Sequence, residues 1–215
     1  MQILMNTGGI ASTNCFVVAD ESARQAVLFD APDHTVDPLL DEVRRRGWDL
    51  VGLWLTHGHF DHVADHQLVR DRFPAARVLI HKLDEPKLDD PRAAFFTLPF
   101  TIPPGKADAY VDDGQALSIG SLAFRVLFTP GHAPGHVSYY CESEQLLVGG
   151  DLIIGGSIGR TDLPDSDDRA MAKSLRRVME LPDDTRLLPG HGDVSTLGAE
   201  REQNQAIQMM LDFDR

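Results

Sequence analysis

The sequence predicts a layered α/β fold with two sheets stacked inside and helices outside, and three observations carry that expectation. In the first half, short apolar runs of strand length alternate with segments of helical period. The second half again runs through strands and then helix. Just past the end of four apolar runs stands a histidine or aspartate, and strand ends are where layered α/β folds carry open sites.

Each element follows from its own residues. Cys15-Phe16-Val17-Val18 and Ala26-Val27-Leu28-Phe29 read as strands joined by a polar turn, an antiparallel pair at the start of a sheet. From Thr35 to Arg46 the residues Val36, Leu39, Leu40 and Val43 fall at helical spacing, and Gly47 stops the helix. Leu50 to Leu55 reads as a strand, Val63 to Phe73 as a helix and Arg77 to Ile80 as a strand. Residues 84–108 hold Pro86, Pro91, Pro99, Pro103 and Pro104, too many prolines for one element, although LDEPKLDD can form a short helix. This stretch reads as a surface excursion and a candidate lid; its Phe95, Phe96 and Phe100 read as a local packing cluster rather than a substrate wall. Strands follow at 116–119, 121–128, 136–141 and 145–149, then a helix over 167–180, a strand Arg186 to Leu188 and a closing helix over 197–211. No linker, low-complexity tract or close repeat interrupts the chain, so residues 1–215 are expected to form a single domain.

Composition narrows the partners. The 215 residues are 42% hydrophobic, ample for a core, and carry a net charge of −13. Such a charge repels phosphate backbones and anionic headgroups, and the densest basic cluster, Arg44-Arg45-Arg46, only ends a helix where cations suit the dipole. Neither nucleic acid nor a membrane is therefore an expected partner. The first residues show no cationic region before an apolar run, and no window reaches the ~18 apolar residues of a membrane span. A soluble, cytoplasmic protein is expected. Cys15 and Cys141 are too few for a disulfide framework and read as buried free thiols.

The chemistry concentrates at LWLTHGHFDH, residues 53–62. Residues two apart on an extended backbone project to one side, so His57 and His59 can grip one cation, with Gly58 permitting a tight path. Asp61 and His62 follow at the next helix start, where they can face a second position nearby. The same arrangement recurs as TPGH ending in His132, GGD ending in Asp151 and PGH ending in His191. Imidazole and carboxylate at this density suit zinc first and iron or manganese after it, and the absence of nearby cysteine argues against a zinc finger. With Asp151 bridging, one ion takes His57, His59 and His132 and the other takes Asp61, His62 and His191. His34, His66 and His81 lack this setting and read as surface or packing residues; His136 reads as structural, or as a support behind a ligand.

THGHFDH, TPGHAPGHV, LLVGGD, GGSIGRTDLP and PGHGDVSTLGAER together resemble the metallo-β-lactamase superfamily, and within it the short glyoxalase II-like hydroxyacylglutathione hydrolases. The likeness spans essentially the whole chain. It implies an αββα four-layer sandwich, two divalent ions on the seven residues above, and hydrolysis of a small thioester such as S-lactoylglutathione by a hydroxide shared between the ions, with Asp61 both a ligand and the catalytic group that orients the hydroxide proton. The resembling subgroup lacks the helical C-terminal domain that supplies glutathione-binding cations in longer glyoxalase II enzymes. A related branch, the persulfide dioxygenases, shares the GRTD stretch and binds one iron, which here would correspond to His57, His132 and Asp151. Arg160 and Asp162 do not separate the branches and read as loop residues pinned by a mutual or ligand-directed hydrogen bond. The same ligand set is also compatible with a lactonase or another ester hydrolase, and with a metal-binding scaffold that performs no catalysis.

Overall fold

The chain opens with β1 (Gln2–Gly8), β2 (Thr13–Asp20) and β3 (Gln25–Phe29), antiparallel neighbours, and passes through α1 (Asp37–Arg46) into β4 (Asp49–Trp54), which runs parallel to β3. Helices α2 (Phe60–Val63) and α3 (His66–Arg72) lead to β5 (Arg77–Ile80); a 3₁₀ turn over Lys82–Asp84 and α4 (Glu85–Asp89) precede β6 (Ala109–Tyr110), which closes a six-stranded sheet in chain order. The computed structural model describes residues 1–93 and 95–213. A second sheet begins with the meander β7 (Ala116–Ile119), β8 (Leu122–Phe128), β9 (Val137–Cys141) and β10 (Leu146–Gly150). After a small ribbon of β11 (Ile153–Ile154) and β12 (Ser157–Ile158), helix α5 (Asp168–Val178) crosses over to β13 (Arg186–Pro189), parallel to β10, and β14 (Ser195–Thr196) completes the six-stranded order β14-β13-β10-β9-β8-β7. Helices α6 (Leu197–Gln203) and α7 (Gln205–Phe213) follow.

Three apolar layers hold these elements. Alternate residues of a strand point to opposite faces, and β2 is buried at every position because both of its faces meet apolar partners. Cys15, Val17 and Ala19 pack with Leu39, Leu40 and Val43 of α1, whereas Phe16 and Val18 meet Phe124, Val126 and Tyr139 of the second sheet. On the far side, Tyr140, Leu147 and Leu187 pack against Met171, Leu175 and Val178 of α5. The result is an αββα sandwich. Between the sheets the rings of Phe29, Trp54, Phe124 and Tyr139 touch at centroid distances of 5.3–5.8 Å.

Several expectations needed correction. The helix read over Val63 to Phe73 is broken, because His62 O accepts from Ala31 N (2.8 Å) and Asp65 N turns to Ala31 O (2.8 Å), drawing the backbone out of the helical ladder. The closing helix is likewise split at Asn204, whose extended backbone ends α6. Strand β1, the short β6, the β11–β12 ribbon and β14 go beyond the elements that the sequence pattern predicts; β1 is an edge strand of mixed burial, and the others are two residues each. Within the proline-rich excursion, Phe95 and Phe96 are exposed and do not pack with one another as a cluster: Phe95 lies under the Arg160 guanidinium, Phe96 meets Phe60 edge-on and Phe100 meets His34.

Candidate metal centre

Strand direction brings the candidate ligands to one edge. Strand β9 is antiparallel to both β8 and β10, so β8 and β10 point the same way, and β13 is parallel to β10. The residues that follow these three strands therefore emerge together: His132 after β8, Asp151 after β10 and His191 after β13. From the first sheet, β4 delivers His57 and His59, and α2 carries Asp61 and His62.

All seven side chains meet. His59 Nδ1 lies 3.0 Å from His57 Nε2 and 2.8 Å from His132 Nε2. Asp61 Oδ2 is 3.5 Å from His62 Nε2 and 3.3 Å from His191 Nε2. Asp151 reaches both groups, with Oδ1 3.4 Å from His62 Nε2 and Oδ2 3.4 Å from both His132 Nε2 and His191 Nε2. Three sets have ligand atoms within 4.8 Å of one another: His57, His59 and His132; His57, His62 and Asp151; Asp61, His62 and His191.

Surrounding hydrogen bonds turn the lone pairs inward. Asp30, just past β3 in a left-handed conformation (φ 58°), accepts from Thr56 N (2.8 Å), Thr56 Oγ1 (2.8 Å) and His62 Nδ1 (2.8 Å). The Thr56 hydroxyl gives its proton to Asp30, so it accepts from His57 Nδ1 (3.0 Å), and His132 Nδ1 donates to Arg160 O (2.8 Å). In all three rings Nε2 is left bare and faces the centre. Behind Asp151, His136 Nε2 accepts from Asp151 N (2.9 Å) while its Nδ1 meets Thr129 Oγ1 (2.9 Å). Thr13 Oγ1 donates to Asp61 Oδ2 (2.8 Å), and Asn14 Nδ2 donates to Pro189 O and Gly192 O on either side of His191.

The residues present fit a pair of cations. His62 Nε2 and Asp151 Oδ1 are buried without a hydrogen-bond partner, an expensive state for polar atoms unless an ion takes their lone pairs. Burial keeps His57 well below the ordinary imidazole range and His59 at about 3, so both present neutral, ligand-ready nitrogens. Burial also opposes charge on His62 and His191, yet the carboxylates of Asp151 and Asp61 outweigh it, lifting His62 well above its ordinary value and His191 to about 10. A field that favours imidazolium there favours a bound cation equally.

Other residues singled out from the sequence have defined places. Arg160 and Asp162 form a bidentate pair (2.6 and 2.7 Å) on the surface, while the Arg160 carbonyl orients His132. His66 is buried and bonds Val63 O, and His81 stacks on Phe128. Cys15 and Cys141 are buried free thiols. Sequence reading missed Asp30, Thr13, Asn14 and Asp84; of these, Asp30 alone carried a signal, since it follows β3 as the ligands follow their strands.

A family model described as the metallo-beta-lactamase superfamily matches residues 8–191. The chain belongs to that superfamily. Among its relatives are an uncharacterised protein of Aquifex aeolicus, 35% identical over 91% of this chain and 92% of that protein, and the probable metallo-hydrolase YqgX of Bacillus subtilis, 30% identical over 93% and 94%. The hydroxyacylglutathione hydrolase GloC of Haemophilus influenzae is 29% identical over 89% of this chain and 91% of its own length. Two solved structures of similar fold are the BLEG-1 B3 metallo-beta-lactamase (TM-score 0.87, 32% identity, covering 96% of this chain and 99% of that one) and TTHA1623 in a di-iron-bound form (TM-score 0.81, 34% identity, 94% and 98%). Two of these relatives carry hydrolase names, a probable metallo-hydrolase and a hydroxyacylglutathione hydrolase. Among the described residues, no helix is long and apolar enough to cross a membrane.

Proposed function

We propose that the chain is a binuclear metal-dependent hydrolase acting on a small thioester of the S-lactoylglutathione type. The observation that carries the binuclear reading is Asp151, whose two oxygens each lie 3.4 Å from a nitrogen of a different ligand group. The likeness to the hydroxyacylglutathione hydrolase GloC supports the thioester. His57, His59 and His132 would hold one ion, Asp61, His62 and His191 the other, and Asp151 would serve both. Zinc suits this nitrogen and oxygen donor set, and iron is supported by the di-iron-bound relative. Ions bound there supply an ionised water at neutral pH and a Lewis acid for the carbonyl.

The chain's own groups do the rest. Burial opposes ionisation of Asp61, but His62 and His191 hold its carboxyl at about 2, so it stays an acceptor. With Thr13 Oγ1 fixing Oδ2, the carboxylate orients the proton of the attacking water toward itself. A thiolate, with a free-thiol pKa near ~8.5, leaves with little help from an acid. Phe60, next to His59 in the chain, and the exposed Phe96 ring 5.7 Å from it form an apolar pair that suits an apolar part of the substrate. A reducing, cytoplasmic setting accords with the two buried free thiols.

The deciding assay compares metal-stripped protein with the same preparation reloaded with zinc or iron, on S-lactoylglutathione, a lactone, a simple ester and a β-lactam, with oxygen uptake followed in parallel. Metal-restored thioester hydrolysis without oxygen uptake is expected. Thioester turnover no higher than that of the stripped control would remove the assignment.

A further inference from the structure

Asp84 is a carboxylate with no exposure at all, in the turn that follows β5. Burying a charged carboxylate is costly unless hydrogen-bonding partners and opposite charge compensate it. Here the compensation comes from two ligand loops at once. Asp84 Oδ2 accepts from Gly58 N (2.8 Å), the residue between His57 and His59, and Oδ1 accepts from Gly135 N (2.7 Å), in the loop that carries His132. Lys87 Nζ stands 3.4 Å from Oδ1.

Contact reinforces these bonds. A Cβ at Gly58 would sit 2.7 Å from the Asp84 carbonyl oxygen, and one at Gly135 would sit 2.7 Å from the Asp84 nitrogen. Both loops thus rest against the Asp84 backbone as well as hanging from its side chain. Lys87 extends the link, because its Nζ lies 2.5 Å from Asp165 Oδ2, and the neighbouring Ser166 Oγ donates to His132 O (3.3 Å). The second ligand group depends on other residues: Asp61 on Thr13, His62 on Asp30, and the His191 turn on Asn14.

We propose that Asp84 is a positioning residue for one cation position only, the one formed by His57, His59 and His132, because it fixes the distance between the two loops that supply those imidazoles. The inference rests on the two-cation reading above. Asparagine at 84 keeps the size but turns an amide NH₂ against either Gly58 N–H or Gly135 N–H, so one loop loses its acceptor and meets a donor instead.

The test uses cobalt(II) as the probe, in two backgrounds that each spare one position: His191→Ala, which leaves the first group whole, and His59→Ala, which leaves the second. Affinity is read by chelator competition and coordination by the visible cobalt absorption. Asp84→Asn in the His191→Ala background should weaken cobalt binding about 10–100-fold and alter its absorption, while in the His59→Ala background the change should stay within about threefold. Lys87→Met should reproduce the selectivity with a smaller loss, and it carries the test if circular dichroism finds Asp84→Asn unfolded. Equal weakening in both backgrounds, or none in the first, overturns the positioning role. Failure of the unsubstituted chain to take up cobalt overturns the two-cation reading instead.

Discussion

At the scale of single residues, the centre depends on groups that never touch the candidate ions. Asp30 uses one oxygen for both the Thr56 hydroxyl and His62 Nδ1 and the other for Thr56 N. An Asp30→Asn chain keeps the volume but must aim an NH₂ at one of these donors, which frees His62 to rotate or to change tautomer. Metal affinity should fall about 10–100-fold, read by competition with a chromogenic chelator, with retained circular dichroism separating a loosened ligand from an unfolded chain. Unchanged affinity would mean that packing alone orients His62. The ligands themselves were legible because His57, His59, Asp61 and His62 crowd one motif past a strand, and His132, Asp151 and His191 each follow a glycine just past another strand. Their supports were less so. Asp30 obeys the same placement but follows Phe29 rather than the glycine that precedes His132, Asp151 and His191, and Asp84 lies among Glu85, Asp89 and Asp90, where nothing in the sequence marks the one acid that is buried.

At the scale of elements, period and apolar content predicted the strands and helices that face the core, and tertiary hydrogen bonds decided where they stop. The helices read from the sequence run through Asp65 and through Asn204, yet both are interrupted. Asn204 shows why: its Nδ2 donates to Ser157 O (2.8 Å) on β12 and to Glu200 Oε2 (2.7 Å), while its Oδ1 accepts from Ala206 N (3.1 Å) and Ile207 N (3.3 Å) to cap α7. These partners lie in three different elements, so no local pattern reveals the break. Asn204→Ala removes a cap worth about 1 kcal/mol and leaves buried acceptors unpaired, for a combined loss of about 2–3 kcal/mol. In urea the unfolding midpoint should move down at constant slope, and metal content should not change. A shift smaller than the error of the midpoint would mean that α6 and α7 are set by apolar contacts alone.

At the scale of the whole molecule, the candidate centre joins the two halves. His57, His59, Asp61 and His62 come from the first sheet, and His132, Asp151 and His191 from the second, so bound ions would cross-link the sandwich at one edge. The sheets also meet through a continuous apolar layer that includes Phe29, Trp54, Phe124 and Tyr139, which needs no metal. A stripped chain should therefore keep its far-UV circular dichroism yet melt earlier. An ion present at a hundred times its dissociation constant adds about 2.7 kcal/mol, and two add about 5 kcal/mol. For a chain of this size each kcal/mol moves the melting temperature by about 2–4 °C, so reloading should raise it by about 10–20 °C and the rise should grow with metal concentration. Differential scanning calorimetry across a zinc series makes the comparison. A melting temperature indifferent to zinc would leave the seven side chains as an unexplained buried polar cluster, whereas loss of all secondary structure on stripping would mean that the apolar layer cannot hold the sheets together by itself.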